Sequence, residues 1–217
     1  MAKLLLDELL MFSRKAVLQA VSRAMQLRKT ASGPSAESAG RGNEELAGPW
    51  PVVVDGTAGN GVDTEFLAQA VEENGLVLAF DVQDEAINAT AERLEKSGVS
   101  SRVRLIKDNH DRVRAYLGKD AKVLAAMYNL GFLPGGSSDL TTRAESTIAS
   151  LESLQDAMEP GGVISVHCYT GQNNGQEELE AVEGWAAGLS WPEWRVLRYE
   201  FCNKKSNREV LFLAHCV

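Results

Sequence analysis

Residues Pro51 to Thr64 read P-V-V-V-D-G-T-A-G-N-G-V-D-T, a short apolar strand that breaks into a glycine turn and runs straight into an amphipathic helix. Val52, Val53 and Val54 are β-branched and consecutive, as in a strand buried on both faces of a parallel sheet. Asp55 ends that strand. Gly56, Gly59 and Gly61 let the backbone come close to a ligand with no Cβ between them, and the first N–H groups of the following helix point at the same spot. Thr57, Ala58 and Asn60 fill the turn, and Asp63 and Thr64 open the helix. A dinucleotide fingerprint has the order G-x-G-x-x-G. Here the order from Gly56 is G-x-x-G-x-G, with an acid in front: D-x-x-x-G-x-G from Asp55 to Gly61. An ordinary tight strand-to-helix connection can carry the same glycines.

The next two units extend the pattern. Leu76-Val77-Leu78-Ala79-Phe80 leads to Asp81, 20 residues beyond Gly61, where a carboxylate at a strand tip reaches a ribose diol. That supports a nucleoside without choosing which. Arg102 to Lys107 ends in Asp108-Asn109-His110, short polar side chains that can meet an adenine edge or equally cap the next turn.

At 217 residues, with 44% hydrophobic and 24% charged residues, the chain has room for one α/β domain and an extension. Apolar residues at helical spacing from Leu4 to Leu27 predict one or two amphipathic helices over residues 1–29. The Ser-, Gly- and Glu-rich stretch 30–49 reads as a flexible linker. From residue 50 to 217 strand and helix patterns alternate: strands at 52–55, 76–81, 102–107, 122–128 and 162–169, helices at 62–73, 84–97, 141–158 and 175–188, and a helical turn near 110–117. Two last strands, near 194–201 and 209–216, form a hairpin. Such alternation implies a mostly parallel sheet covered by helices on both faces, with an antiparallel strand at or near one edge.

The fourth strand ends in Asn129-Leu130-Gly131-Phe132-Leu133-Pro134-Gly135-Gly136, and ligands of doubly wound sheets bind beyond the carboxyl ends of the strands. With this segment the turn resembles motif I of the class I S-adenosylmethionine (AdoMet) methyltransferases. The run D-G-T-A-G-N-G-V-D-T, with F-D-V-Q ending at Gln83, then D-N-H, N-L-G-F-L-P-G-G and Thr141-Thr142, is similar to the YtqB family. That family carries the rRNA methylase label and is associated with MnmM, the tRNA 5-aminomethyl-2-thiouridine methyltransferase. The likeness covers about residues 50–217 and includes Tyr199 to Asn203.

The resemblance implies a Rossmann-like class I methyltransferase fold with seven strands. It implies a cofactor site of Asp55, Gly56, Thr57, Ala58, Gly59, Asn60, Gly61, Asp63, Thr64, Asp81, Gln83, Asp108, Asn109, His110 and Asn129, holding AdoMet and releasing S-adenosylhomocysteine. Catalysis then falls to Asn129 and the Leu130 carbonyl, which accept hydrogen bonds from a target amine, with His110 as a proton acceptor. Phe132, Leu133, Pro134, Gly135, Gly136, Thr141, Thr142, His167 and Tyr169 would face the acceptor, Phe132 by stacking on a base, with core packing equally open to His167 and Tyr169. The family commonly has Y-P-G-H-P-G-G after the fifth strand, whereas this chain has Tyr169-Thr170-Gly171-Gln172-Asn173-Asn174-Gly175. That departure bears on which nucleoside is bound more than on the reaction.

The expected partner is tRNA, at its anticodon loop. A net charge of −8 argues against coating nucleic acid, but residues 1–30 carry +4 against −12 for the rest, and Lys204, Lys205 and Arg208 form a second basic group. The N-terminal helices would grip the RNA backbone or join two copies into a homodimer. Three cysteines without C-x-x-C spacing and three scattered histidines indicate neither disulfide framework nor metal, and no apolar run is long enough for a membrane span. A cytoplasmic location follows, or a plastid or mitochondrion if the basic, Ser-rich N-terminus is a transit peptide. A methyltransferase of small amines or of rRNA, a non-catalytic AdoMet-binding module and an NAD enzyme are the rivals.

Overall fold

The computed structural model describes residues 2–31, 51–131, 141–171 and 173–217. After one long helix, α1 (Ala2–Ala31), the chain alternates β1 (Val52–Asp55), α2 (Val62–Ala70), β2 (Leu76–Asp81), α3 (Asp84–Lys96), β3 (Val103–Lys107), α4 (Val113–Tyr116), β4 (Val123–Asn129), α5 (Ala144–Gln155), β5 (Met158–Tyr169) and α6 (Gly175–Gly188). The hairpin β6 (Trp194–Glu200) and β7 (Glu209–Cys216) closes it. The sheet runs β3-β2-β1-β4-β5-β7-β6, parallel except for β7, which lies antiparallel between β5 and β6.

Chain order moves outward from β1 to β2 and β3, then crosses back to β4 on the other side of β1. The crevice between the carboxyl ends of β1 and β4 is therefore the topological switch point, where such sheets bind ligands. Asp55 pairs with Met127 across it, so the glycine turn and Asn129 leave the sheet side by side.

Alternation along the strands divides the core into two layers. Val52, Val54, Leu78, Phe80, Tyr128, Ile164 and Val166 face α5 and α6, with Leu151, Leu154, Leu179 and Val182 across from them. Val53, Val77, Ala79, Met127, Leu211 and Leu213 face the other way, against Leu67 and Ala68 of α2, Leu94 of α3, and Leu9, Val17, Val21 and Met25 of α1. The N-terminal helix thus covers β4, β5 and β7 as an integral layer. Its apolar stripe is spent on the sheet, leaving Met11, Leu18 and Leu27 exposed.

Several boundaries shift from the sequence expectation. The N-terminal pattern is one helix, not two, and it takes in Thr30 and Ala31, which the linker assignment had claimed. α2 stops at Ala70 and a 3₁₀ turn covers Glu72–Asn74, where Glu72 takes a φ of 55°, and Gly75 then lies against Val71. α5 is shorter at both ends than 141–158, since β5 already begins at Met158, paired with Val123. The remainder of the expected linker lies outside the described residues.

Truncating Met25, buried where α1 meets the sheet, is expected to cost about 2–5 kcal/mol. A Met25→Ala urea midpoint equal to that of the parent chain would show instead that α1 is not part of the cooperative unit.

Candidate active site at the β1 and β4 carboxyl ends

The glycine turn is held from within. Gly56 N–H donates to the Met127 carbonyl (2.9 Å), Ala58 N–H to Phe80 (2.8 Å) and Gly61 N–H to Ala58 (2.8 Å). Gly61 sits at φ 76°, a left-handed conformation, with Thr90 of α3 where a Cβ would go. Thr90 Oγ1 donates to the Gly59 carbonyl and Arg93 Nε to the Asn60 carbonyl, so α3 fixes the outer rim of the turn.

Three carboxylates converge on this turn. Asp55 is 1% exposed and accepts from Thr57 N–H (3.1 Å) and Thr64 Oγ1 (2.6 Å). Asp81 accepts from Gly59 N–H (2.9 Å) and Gln83 N–H (3.0 Å). Asp63 receives the Arg14 guanidinium on Oδ1 (2.7 and 3.0 Å) and the Asn129 amide nitrogen on Oδ2.

Burial above all, and then the negative charge of Asp63, push the Asp55 carboxyl from its ordinary 3.8 up to about 7 against the pull of its two hydrogen bonds. The folded chain then holds a proton that the unfolded chain has lost, so this group's contribution to stability falls as the pH rises from about 4 to about 7. Asp55→Asn removes the titration. Its melting temperature relative to the parent chain is expected to rise progressively between about pH 5 and pH 7.5, and parallel pH profiles for the two proteins would contradict the assignment.

Asn129 is the last residue of β4. Its N–H donates to Thr57 Oγ1 (2.8 Å), which ties the acceptor strand directly to the glycine turn. Leu130 buries its side chain while its N–H donates to the His167 carbonyl (2.9 Å). Thr142 links Gly131 to α6: its hydroxyl accepts from Gly131 N–H (2.9 Å) and donates to Glu178 (2.7 Å), which also takes the Thr147 hydroxyl. Thr141 is half-buried beside it. Phe132, Leu133, Pro134, Gly135 and Gly136 lie outside the described residues.

Other expected site residues are placed differently. His110 was expected as a proton acceptor and a cofactor contact. Instead it turns to the α5 side of the sheet, edge-on to Tyr128, with Nδ1 at 3.0 Å from the Gly56 carbonyl, while Asn129 turns to the α2 side. That contact puts the ring proton on Nδ1, and burial lowers the His110 pKa, so the ring is a neutral clamp on the turn. Asn109 caps the short turn after it, accepting from Asp111 N–H. Asp108 accepts from Tyr116 Oη (2.8 Å), which holds its carboxyl below the ordinary value. His167, expected at the rim, is buried, bonded through Nδ1 to Tyr169 Oη (3.0 Å), and pushed down to about 4 by desolvation. Tyr169 remains half-buried on the side of α1.

The turn suits the cofactor named by the resemblance. The carboxyl groups of Asp55, Asp63 and Asp81 line it, with the Asp63 charge met by Arg14, and acceptors of this kind suit a cationic sulfonium with an ammonium group better than a diphosphate. A further cleft of about 210 Å³, between α1 and the start of β5, opens at the strands' amino ends and is remote from this chemistry.

The family described as "Putative rRNA methylase" matches residues 77–215. The chain belongs to that methyltransferase family. A crystal structure of a family protein from Clostridium thermocellum, named as an rRNA methylase, is 40% identical with a TM-score of 0.73 over 77% of this chain and 89% of that one. A Streptococcus mutans methyltransferase solved in complex with SAH is 30% identical, with a TM-score of 0.69 over the same shares. The chloroplastic tRNA (mnm(5)s(2)U34)-methyltransferase of Arabidopsis thaliana is 30% identical over 178 residues, 78% of this chain. The chain spans 65% of the length of that relative.

Within this family framework, the residues that sequence reasoning missed are those that hold others: Arg14, Tyr128, Ser150, Thr90 and Glu178. Tyr128 and Ser150 share a 2.6 Å hydrogen bond in the core, and Ser150 donates to the His110 carbonyl. An acid at the start of an apolar helical stripe, as Glu178 is before Leu179 and Val182, is the one signal the sequence carried for any of them.

Proposed function

We propose that the chain is an AdoMet-dependent N-methyltransferase whose acceptor is the 5-aminomethyl group of a 2-thiouridine at the tRNA wobble position. The observation that carries the reading is the Asn129 side chain at the switch point: its nitrogen is committed to Asp63, which leaves Oδ1 to accept an N–H from an amine. The name of the Arabidopsis relative supports that acceptor class.

AdoMet, when bound, supplies a methyl group on a sulfonium and leaves as S-adenosylhomocysteine. The glycine turn, Asp81 and the first turn of α2 would hold it. Asn129 Oδ1 and the Leu130 carbonyl orient the amine by its N–H bonds, so that its lone pair points along the line of transfer. Burial beside Tyr169 and Leu130 favours the neutral amine over the ammonium form. Alignment of this kind supplies roughly 7–11 kcal/mol in well-oriented reactions, which makes positioning the main contribution of these residues. The extra proton on the product amine passes to solvent.

Mass spectrometry of nucleosides from hypomodified tRNA, after incubation with isotope-labelled AdoMet, tests cofactor, polymer and acceptor at once. A labelled methyl on the aminomethyl nitrogen of the wobble uridine is expected; label on no RNA nucleoside would refute the reading. One observation favours a small free amine instead. Of the six cations in residues 1–30, Arg14, Arg28 and Lys29 pair with Asp63, Glu159 and Glu72, and Lys204 and Arg208 pair with Glu209 and Glu200, so part of each basic group is neutralised within the chain. Label on a small amine but not on tRNA would select that alternative. For location the reading keeps the cytoplasm, with a plastid as the alternative suggested by the chloroplastic relative; α1 is core and serves the fold in either.

A further inference from the structure

We infer that α1 is part of the acceptor site and that Arg14 is a positioning residue, acting through Asp63 to fix which way the Asn129 amide faces. This rests on the proposed role of Asn129. An asparagine amide presents two donors on one side and a carbonyl on the other, and turning it over exchanges them. Nothing at Asn129 itself decides between the two. The decision comes from Asp63, because an ionised carboxylate accepts and cannot donate, so Nδ2 must face it. Oδ1 is then the atom left for an incoming amine.

Asp63 in turn has its two oxygens divided between two partners. Arg14 places both Nε (3.0 Å) and Nη2 (2.7 Å) on Oδ1, and Asn129 takes Oδ2. Asp63 is nearly buried, and its charge lies close to the Asp55 carboxyl. The guanidinium balances that charge and stops the carboxylate from rotating. Arg14 is itself braced. Its guanidinium carbon lies 5.3 Å from the Phe66 ring centre, and the neighbouring Ser13 hydroxyl bonds Ser165 of β5 at 2.6 Å, which sets the helix in register with the sheet. Phe12 stacks on Tyr199 one residue earlier, at 5.1 Å. Three consecutive residues of α1 thus dock at the end of the sheet where Asn129 and Tyr169 emerge.

Arg14→Met keeps an unbranched aliphatic stem on α1 while removing the guanidinium, and with it both the charge and the contact over the Phe66 ring. Its kcat is expected to fall on the order of 10- to 100-fold with the S-adenosylhomocysteine dissociation constant unchanged. In the ligand-free protein, the Asn129 side-chain NH₂ resonance, assigned by its loss in Asn129→Asp, is expected to move toward the position of an amide without a carboxylate partner. Arg14→Lys should restore part of both. If Arg14→Met does not fold, Asp63→Asn tests the same link and should show the same kcat loss and the same shift. Wild-type kcat and an unmoved resonance in either folded variant would overturn the inference. So would a loss of cofactor affinity and melting temperature that Arg14→Lys does not rescue, which is plain structural damage. If the parent chain methylates no amine at all, the proposed function fails, and the resonance shift still reports on the Arg14–Asp63–Asn129 link by itself.

Discussion

Asn129→Ala is expected to lose methyl transfer by about 100-fold or more while binding S-adenosylhomocysteine nearly as well as the parent chain. The separation of the two effects follows from how the residue is connected. Its backbone N–H, which ties β4 to Thr57 of the cofactor turn, survives the substitution; its side chain, which faces Asp63 and the acceptor position, does not. What is lost is an interaction that becomes useful only as the amine is aligned, so the change belongs in kcat. Removing the amide also leaves Asp63 Oδ2 without its partner inside a nearly buried site, yet Arg14 remains on Oδ1, so the carboxylate keeps a charge-assisted hydrogen bond. Isothermal titration with S-adenosylhomocysteine and single-turnover transfer from labelled AdoMet measure the two effects separately. Full transfer by the variant, or equal losses of transfer and cofactor affinity, would contradict the assigned role.

The difference between what the sequence disclosed and what it hid follows the range of the interactions. The strand-turn-helix unit at Pro51 to Thr64 was legible because every property it needs is local: β-branched residues before the turn, glycines where φ is positive, an acid at the strand end. The mostly parallel, helix-covered sheet followed from alternation, and the hairpin of β6 and β7 from two strand patterns separated by a polar turn. Asn129 could be found because it stands at a strand end, a position that topology aims at the ligand. Arg14 could not, since its partner lies 49 residues away and an arginine on an amphipathic helix reads as solvated surface. The roles of Asp108, Asn109 and His110 were ambiguous for a related reason. Short polar side chains after a strand cap turns as readily as they bind adenine, and here Asn109 caps while His110 packs under Gly56. The basic charge of residues 1–30 was legible as a count, but the pairing of Arg14, Arg28 and Lys29 with Asp63, Glu159 and Glu72 was not, because net charge says nothing about which cations already have partners.

Gly56→Ala is expected to have the largest effect on cofactor binding of any single methyl group added to this chain. A Cβ at that position would stand 2.1 Å from Cε1 and 2.4 Å from Cδ1 of Tyr128, far inside contact distance. The tyrosine cannot swing away cheaply. It is fully buried, its hydroxyl is bonded to Ser150 at 2.6 Å, and the His110 ring stands edge-on to it at 5.7 Å. The backbone must therefore move instead, and both of its anchors, Gly56 N–H to the Met127 carbonyl and His110 to the Gly56 carbonyl, would be strained together. Overpacking of a core usually costs about 1–3 kcal/mol, and the overlap here places this site at or above the upper end. Because the displaced backbone is the glycine turn proposed to hold AdoMet, most of that cost should appear as weakened binding as well as a lower melting temperature. Pairing the change with Tyr128→Leu, which removes the obstructing ring, should recover part of the cofactor affinity even though it sacrifices the Ser150 hydrogen bond, and the two substitutions should be non-additive. Additive losses in the double variant would mean that the glycine is needed for something other than its closeness to Tyr128.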